Sequence, residues 1–188
     1  MNRLLQLILI ASTLVASWLG MQAVHESGHV LGALATGGNV ERVVLYPLAI
    51  SRTDVMPNPR PLVVVWAGPI FGVLLPLAVW GAASATQLRG AFVLRFFAGF
   101  CLIANGAYIS LGSFSRIGDC GEMLRHGSAI WLLWLFGMLA IPFGFWLWHR
   151  QGIYFGIVST GVVDRRVAYV TLVASLVLVL LGYFFGDG

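Results

Sequence analysis

Apolar residues in this chain gather into five long runs separated by short polar stretches. The first extends from about Leu4 to Ala35, and the others cover Leu62 to Ala85, Ala91 to Leu111, Ala129 to Trp148 and Val167 to Phe185. A helix rises about 1.5 Å per residue, so each run is long enough to cross a hydrocarbon core of roughly 30 Å. The first exceeds that thickness and must tilt, bend or protrude. Arg3 followed by apolar residues also resembles a secretory leader. The run overshoots the usual leader length, however, and a cut near Ala23 would leave His25 at a frayed terminus. One long spanning helix is the better reading. Thr36-Gly37-Gly38-Asn39 closes it with residues suited to a left-handed cap.

Val40 to Thr53 has a different pattern, with Val43, Val44, Leu45, Tyr46, Leu48 and Ile50 set among Glu41, Arg42 and Arg52. It is too short and too charged to span. Its β-branched content predicts a hairpin turning near Pro47, followed by a Pro-rich linker from Asp54 to Pro61. Gly112 to Ser128 and His149 to Arg166 are polar connections. The expected fold is therefore an all-α integral membrane protein. It has about five transmembrane helices, with a short β-hairpin-like segment between the first and second. Residues 1–188 form a single membrane-embedded domain.

Composition agrees. The chain is 59% hydrophobic and 10% charged, with a mean hydropathy of +0.90, whereas soluble domains carry about 25% charged residues. All eleven basic residues are Arg, scattered between the runs, so the net charge of +4 gives no nucleic-acid footprint. Cys101 and Cys120 form no C-x-x-C pair and no disulfide framework; they read as an apolar filler and a loop thiol. Arg3, Arg89, Arg95, Arg150, Arg165 and Arg166 share one membrane side, against Arg42, Arg52, Arg60, Arg116 and Arg125 on the other. That near tie does not fix orientation.

Chemistry concentrates at His25-Glu26-Ser27-Gly28-His29. The chain has four His and seven acids, yet two His and one Glu fall within five residues. On a helix, positions i and i+4 share a face, so both imidazoles reach one metal ion, and Glu26 is placed to take a proton from a water beside it. The plainer alternative is a His pair hydrogen-bonded between packed helices. At bilayer depth, ionisable groups are costly and usually functional, which favours the metal.

A catalytic zinc needs a third protein ligand. Ala35 stands where an extended metzincin pattern would place its third His, and Glu41 follows too closely behind the helix stop. Asp119, in Gly118-Asp119-Cys120-Gly121, lies on the same membrane side as the His pair and is favoured, with Glu122 and His126 as competitors. A helix cap or a partner of Arg116 is the plain alternative for Asp119. Gly68 and Gly72, four apart around Pro69, suit close helix approach, and Asn105 is either interhelical glue or a hydrogen-bond donor toward substrate. The hairpin is either an ordinary surface feature or, with its edge close to such a site, a place for strand addition by an extended substrate.

These residues resemble the site-2-protease-type intramembrane zinc metalloproteases. The resemblance rests on the H-E-x-x-H stretch in an early span and on Ala67-Gly68-Pro69 at the start of the next. It rests also on the intervening hairpin and on Gly118-Asp119-Cys120-Gly121 after a later span. It implies a single zinc ion held by His25, His29 and Asp119, with Glu26 as general base. It also implies a site opening toward the cytoplasm and cleavage of membrane-spanning substrates. The expected function is that of a zinc-dependent intramembrane endopeptidase in the cell membrane, with a membrane-protein substrate and the lipid bilayer as partners. An inactive adaptor that keeps the fold, or a metal transporter using the same three residues, are the alternatives.

Overall fold

The computed structural model describes residues 3–48, 51–158, 161 and 163–186. In chain order it forms α1 (Arg3–Ala35), β1 (Val40–Val44), β2 (Arg52–Val55), α2 (Pro61–Ala85), α3 (Ala91–Ser115), α4 (Asp119–Arg125), α5 (Ile130–Trp148) and α6 (Arg165–Phe185). A single 3₁₀ turn at Gln151–Ile153 lies between the last two helices. All except α4 among the helices are long and apolar enough to cross a membrane, which makes this a multi-pass membrane protein.

The helices are arranged for a hydrocarbon solvent. Leu14, Leu74, Val79, Leu139, Leu176 and Leu180 are exposed on the outer surface, while polar residues turn inward. Along α1, Ser12, Thr13, Ser17, Gln22, His25, Glu26 and His29 are all buried, and Asn105, Ser110 and Ser113 of α3 join them. Several of these hydroxyls satisfy themselves locally, as where Ser12 donates to the Ile8 carbonyl at 2.6 Å and Ser110 to Gly106 at 2.7 Å, while Thr13 Oγ1 finds no partner among the described residues. Packing runs from α6 to α1, α1 to α2, α2 to α3 and α3 to α5. The α1–α2 crossing is close: a β-carbon on Gly28 would meet the Ala67 carbonyl and lie 2.8 Å from the Gly68 Cα.

The hairpin forms where expected, as an antiparallel pair with Val43 opposite Thr53 and Val44 opposite Arg52, and with an irregularity between Val40 and Arg42. Ile50 lies outside the described residues. β2 continues to Val55, into the stretch expected to be linker. Pairing outlasts it, because Met56 N–H donates to Asn39 at 2.8 Å and Asn39 N–H to Pro57 at 3.1 Å. The hairpin neck docks on the end of α6, where Leu45 N–H donates to Gly186 at 2.9 Å and the Tyr46 and Tyr183 rings meet at 5.6 Å.

The second difference from expectation is α4. The Gly112 to Ser128 stretch is not a plain polar connection: α3 extends to Ser115, and a short helix follows. Cys120 and Met123, three apart, pack with Val65, Ile109 and Leu133 and pin α4 to the bundle. Cys120 is thus a buried helical residue and not a loop thiol.

Candidate metal centre

His25 and His29 lie one turn apart on the inward face of α1, with ring centroids 4.8 Å apart and the planes at 72°. Their outer nitrogens are both engaged. His29 Nδ1–H donates to the Val64 carbonyl at 2.8 Å, and a carbonyl can only accept. His25 Nδ1 faces Asn105 Oδ1 at 2.6 Å, and Asn105 is oriented by its own Nδ2–H donating to the Cys101 carbonyl at 2.9 Å. Both Nδ1 atoms therefore carry the proton, which leaves both Nε2 atoms with free lone pairs in the neutral rings. Space for these rings comes from α2. A β-carbon on Gly68 would overlap the His29 imidazole, and one on Gly72 would come within 2.9 Å of the Asn105 amide.

Asp119 reaches the pair from the other side. Gly118 turns the chain with φ 63° and ψ −144°, a conformation nearly reserved for glycine. Any β-carbon there would strike the Tyr108 hydroxyl. That hydroxyl accepts the Asp119 backbone N–H at 3.1 Å, while Cys120 Sγ–H donates to the Tyr108 carbonyl at 3.1 Å. Tyr108 thus holds the start of α4 from two directions. Asp119 Oδ2 then lies 2.8 Å from His25 Nε2 and 3.3 Å from His29 Nε2. Burial alone would raise the Asp119 carboxyl; when the rings of His25 and His29 also carry a proton on Nε2, hydrogen bonds and charge interactions with them outweigh that and hold it well below the usual carboxylate range.

Three electron-pair donors, two imidazole nitrogens and a carboxylate oxygen, are therefore turned on one point, all within 4.8 Å of one another. With both Nδ1 protons committed outward, something positive must sit among them, either protons or a cation. The Nε2 atoms are 3.1 Å apart. Tetrahedral zinc with bonds of about 2.0–2.2 Å spaces its ligands roughly 3.3–3.6 Å apart. The donor set fits a divalent ion after a small outward adjustment. All three residues line a cavity of about 870 Å³, so one side of the cluster is left open.

Comparison with family models, with curated proteins and with solved structures finds no match.

Glu26 is buried beside the cluster and lines the same cavity. Its carboxylate accepts from Thr53 of β2 at 2.7 Å. The walls come from α1, both hairpin strands, α2, α3 and α4, and Trp18, 50% exposed, borders the cavity. Of the competitors for the third position, Glu122 and His126 line the cavity but pair with each other at 3.3 Å, and Glu122 also pairs with Arg125. Asp119 and not either of them meets the imidazoles, and its partners are the histidines and not Arg116. Asn105 lines the cavity, but the hydrogen bonds it makes go to His25 and to Cys101.

Sequence reasoning passed over Thr53, Tyr108 and Gln22. Tyr108 was readable only as one more aromatic in a span. Gln22, one turn before Glu26, is buried with its Nε2 unpartnered among the described residues, and a Gln inside an apolar run was the signal for it.

Proposed function

We propose that this chain is a zinc-dependent intramembrane endopeptidase that hydrolyses peptide bonds of membrane-spanning substrates, and that it works in the cell membrane. The observation that carries the reading is the convergence of His25 Nε2, His29 Nε2 and Asp119 Oδ2 with both Nδ1 atoms tied outward. In this reading those three residues hold the zinc, and Asn105 and the Val64 carbonyl fix the ring orientations. Bound there, zinc supplies Lewis acidity toward a substrate carbonyl oxygen.

The remaining chemistry belongs to the chain. Glu26 accepts a proton from the attacking water and returns it to the leaving amine. Residues of β2 line the cavity, and among the described residues the strand pairs only with β1, so its other edge offers main-chain donors and acceptors to an extended segment. That matters because a helical substrate hides its carbonyls and must unwind before attack. The buried carboxylate beside the cluster favours an active enzyme over an adaptor, since a purely structural site has no use for Glu26. The motif resemblance to site-2-protease-type enzymes supports the same assignment.

The test is metal content together with cleavage of a transmembrane reporter, comparing wild type with Glu26→Gln. Stoichiometric zinc in both, with cleavage lost in the variant, is expected. Absence of zinc removes the reading. Zinc in both without cleavage in either turns it to the adaptor.

A further inference from the structure

We propose that Thr53 is a positioning residue for Glu26, which makes the hairpin a working part of the site. The inference rests on the hydrolase reading above. Thr53 Oγ1–H donates to Glu26 Oε2 at 2.7 Å and is the one hydrogen-bond partner of that carboxylate among the described residues. Glu26 borders open space on two sides, the 870 Å³ cavity and a second recess of about 420 Å³ lined by Ala23, Ser27, Leu45 and Phe71. A glutamate flanked by space on both sides is poorly fixed by packing, so its orientation depends on the hydrogen bond. Ser27, the nearest hydroxyl in sequence, is committed to the Ala23 carbonyl at 2.6 Å.

Thr53 is itself well held. It sits opposite Val43 in the ladder, and its neighbours Arg52 and Asp54 also line the cavity. The strand that steadies the base is therefore the strand whose outer edge is open to an extended segment. A substrate lying along that edge fixes β2, and through the Thr53 hydroxyl it fixes Glu26. Base and substrate are aligned by one element.

The experiment uses the full chain, zinc-loaded in lipid nanodiscs, with a transmembrane reporter. Thr53→Val removes the hydroxyl at nearly constant shape, and Thr53→Ser keeps it. The expected result is a fall in kcat of roughly 10- to 100-fold for the Val variant, with KM and zinc content near wild type and activity restored to within a few fold by Ser. A second readout is independent of turnover. Hydrogen exchange of hairpin amides 40–44 and 52–55 should rise in Thr53→Val and in Glu26→Ala, and rise no further when the two are combined. An unchanged or raised kcat in Thr53→Val, a Ser variant as slow as Val, or additive exchange effects would each overturn the proposal. If wild type and Glu26→Gln behave alike toward the reporter, the hydrolase reading has failed instead. The exchange cycle then decides alone whether Thr53 holds Glu26.

Discussion

The His29 imidazole rests directly on the backbone of Gly68, in the space that a side chain at that position would fill. Glycine costs helix stability relative to alanine, about 1 kcal/mol in an ordinary helix interior. Gly68→Ala should therefore favour α2 locally and still damage the site, because the ring must move off the Val64 carbonyl. Zinc content should fall at least tenfold while circular dichroism keeps the helical signal. Wild-type zinc in this variant would show that the ring contact is not what holds His29.

Asn105 gives His25 the acceptor that fixes its tautomer. Partners of this kind typically carry 10- to 100-fold in metal affinity. Asn105→Leu should weaken zinc binding by about that much in a competitive chelator titration, and Asn105→Asp, which keeps an acceptor, should lose much less. An unchanged affinity in the Leu variant would detach Asn105 from His25 and return it to the substrate.

Asp119 sets a pH dependence for the metal-free chain. Its carboxyl is depressed in the fold, with burial opposing and the two histidines prevailing. A depressed carboxylate stabilises fully above its unfolded pKa, near 3.9, and loses that contribution as pH falls through the folded value. The gap in melting temperature between wild type and Asp119→Asn should thus be fully open above about pH 5, begin to narrow near pH 4 and close only as pH falls through the depressed folded value. A gap that widens on acidification would contradict the pairing.

Cys120 should be chemically quiet. Burial pushes its thiol up to about 11, with the nearby Asp119 charge adding to the shift, and Cys101 is fully buried in α3. N-ethylmaleimide at pH 7 should leave the folded protein unmodified by mass spectrometry and label both thiols after denaturation. Rapid labelling of Cys120 would mean that α4 lifts from the bundle.

The spans were legible because an apolar run of bilayer length has few other readings. The His pair was legible too, since i and i+4 on a helix leave little freedom. Asp119 was favoured on type and membrane side, but its approach depended on α4, which the polar residues Glu122, Arg125 and His126 disguised. The signal lay in Cys120 and Met123, two apolar residues three apart after a glycine. Seven residues with two anchors make a weak periodicity. Thr53 was out of reach for another reason. Its partner Glu26 is 27 residues away, and nothing local in a strand says which hydroxyl will face a carboxylate. The role of Gly68 and Gly72 was half readable: small residues implied a close neighbour, and only the packing of α1 and α3 on α2 makes it His29 and Asn105.

The two halves of the metal cluster are separated by 94 positions between His25 and Asp119. During biosynthesis the histidines are delivered with α1, and the aspartate arrives only after α3. A nascent chain halted before Gly118 carries two of the three donors and no means of closing the site. On the proposed reading, metal capture is consequently a late event in membrane insertion, because the three donors meet only once most of the bundle has been assembled around them.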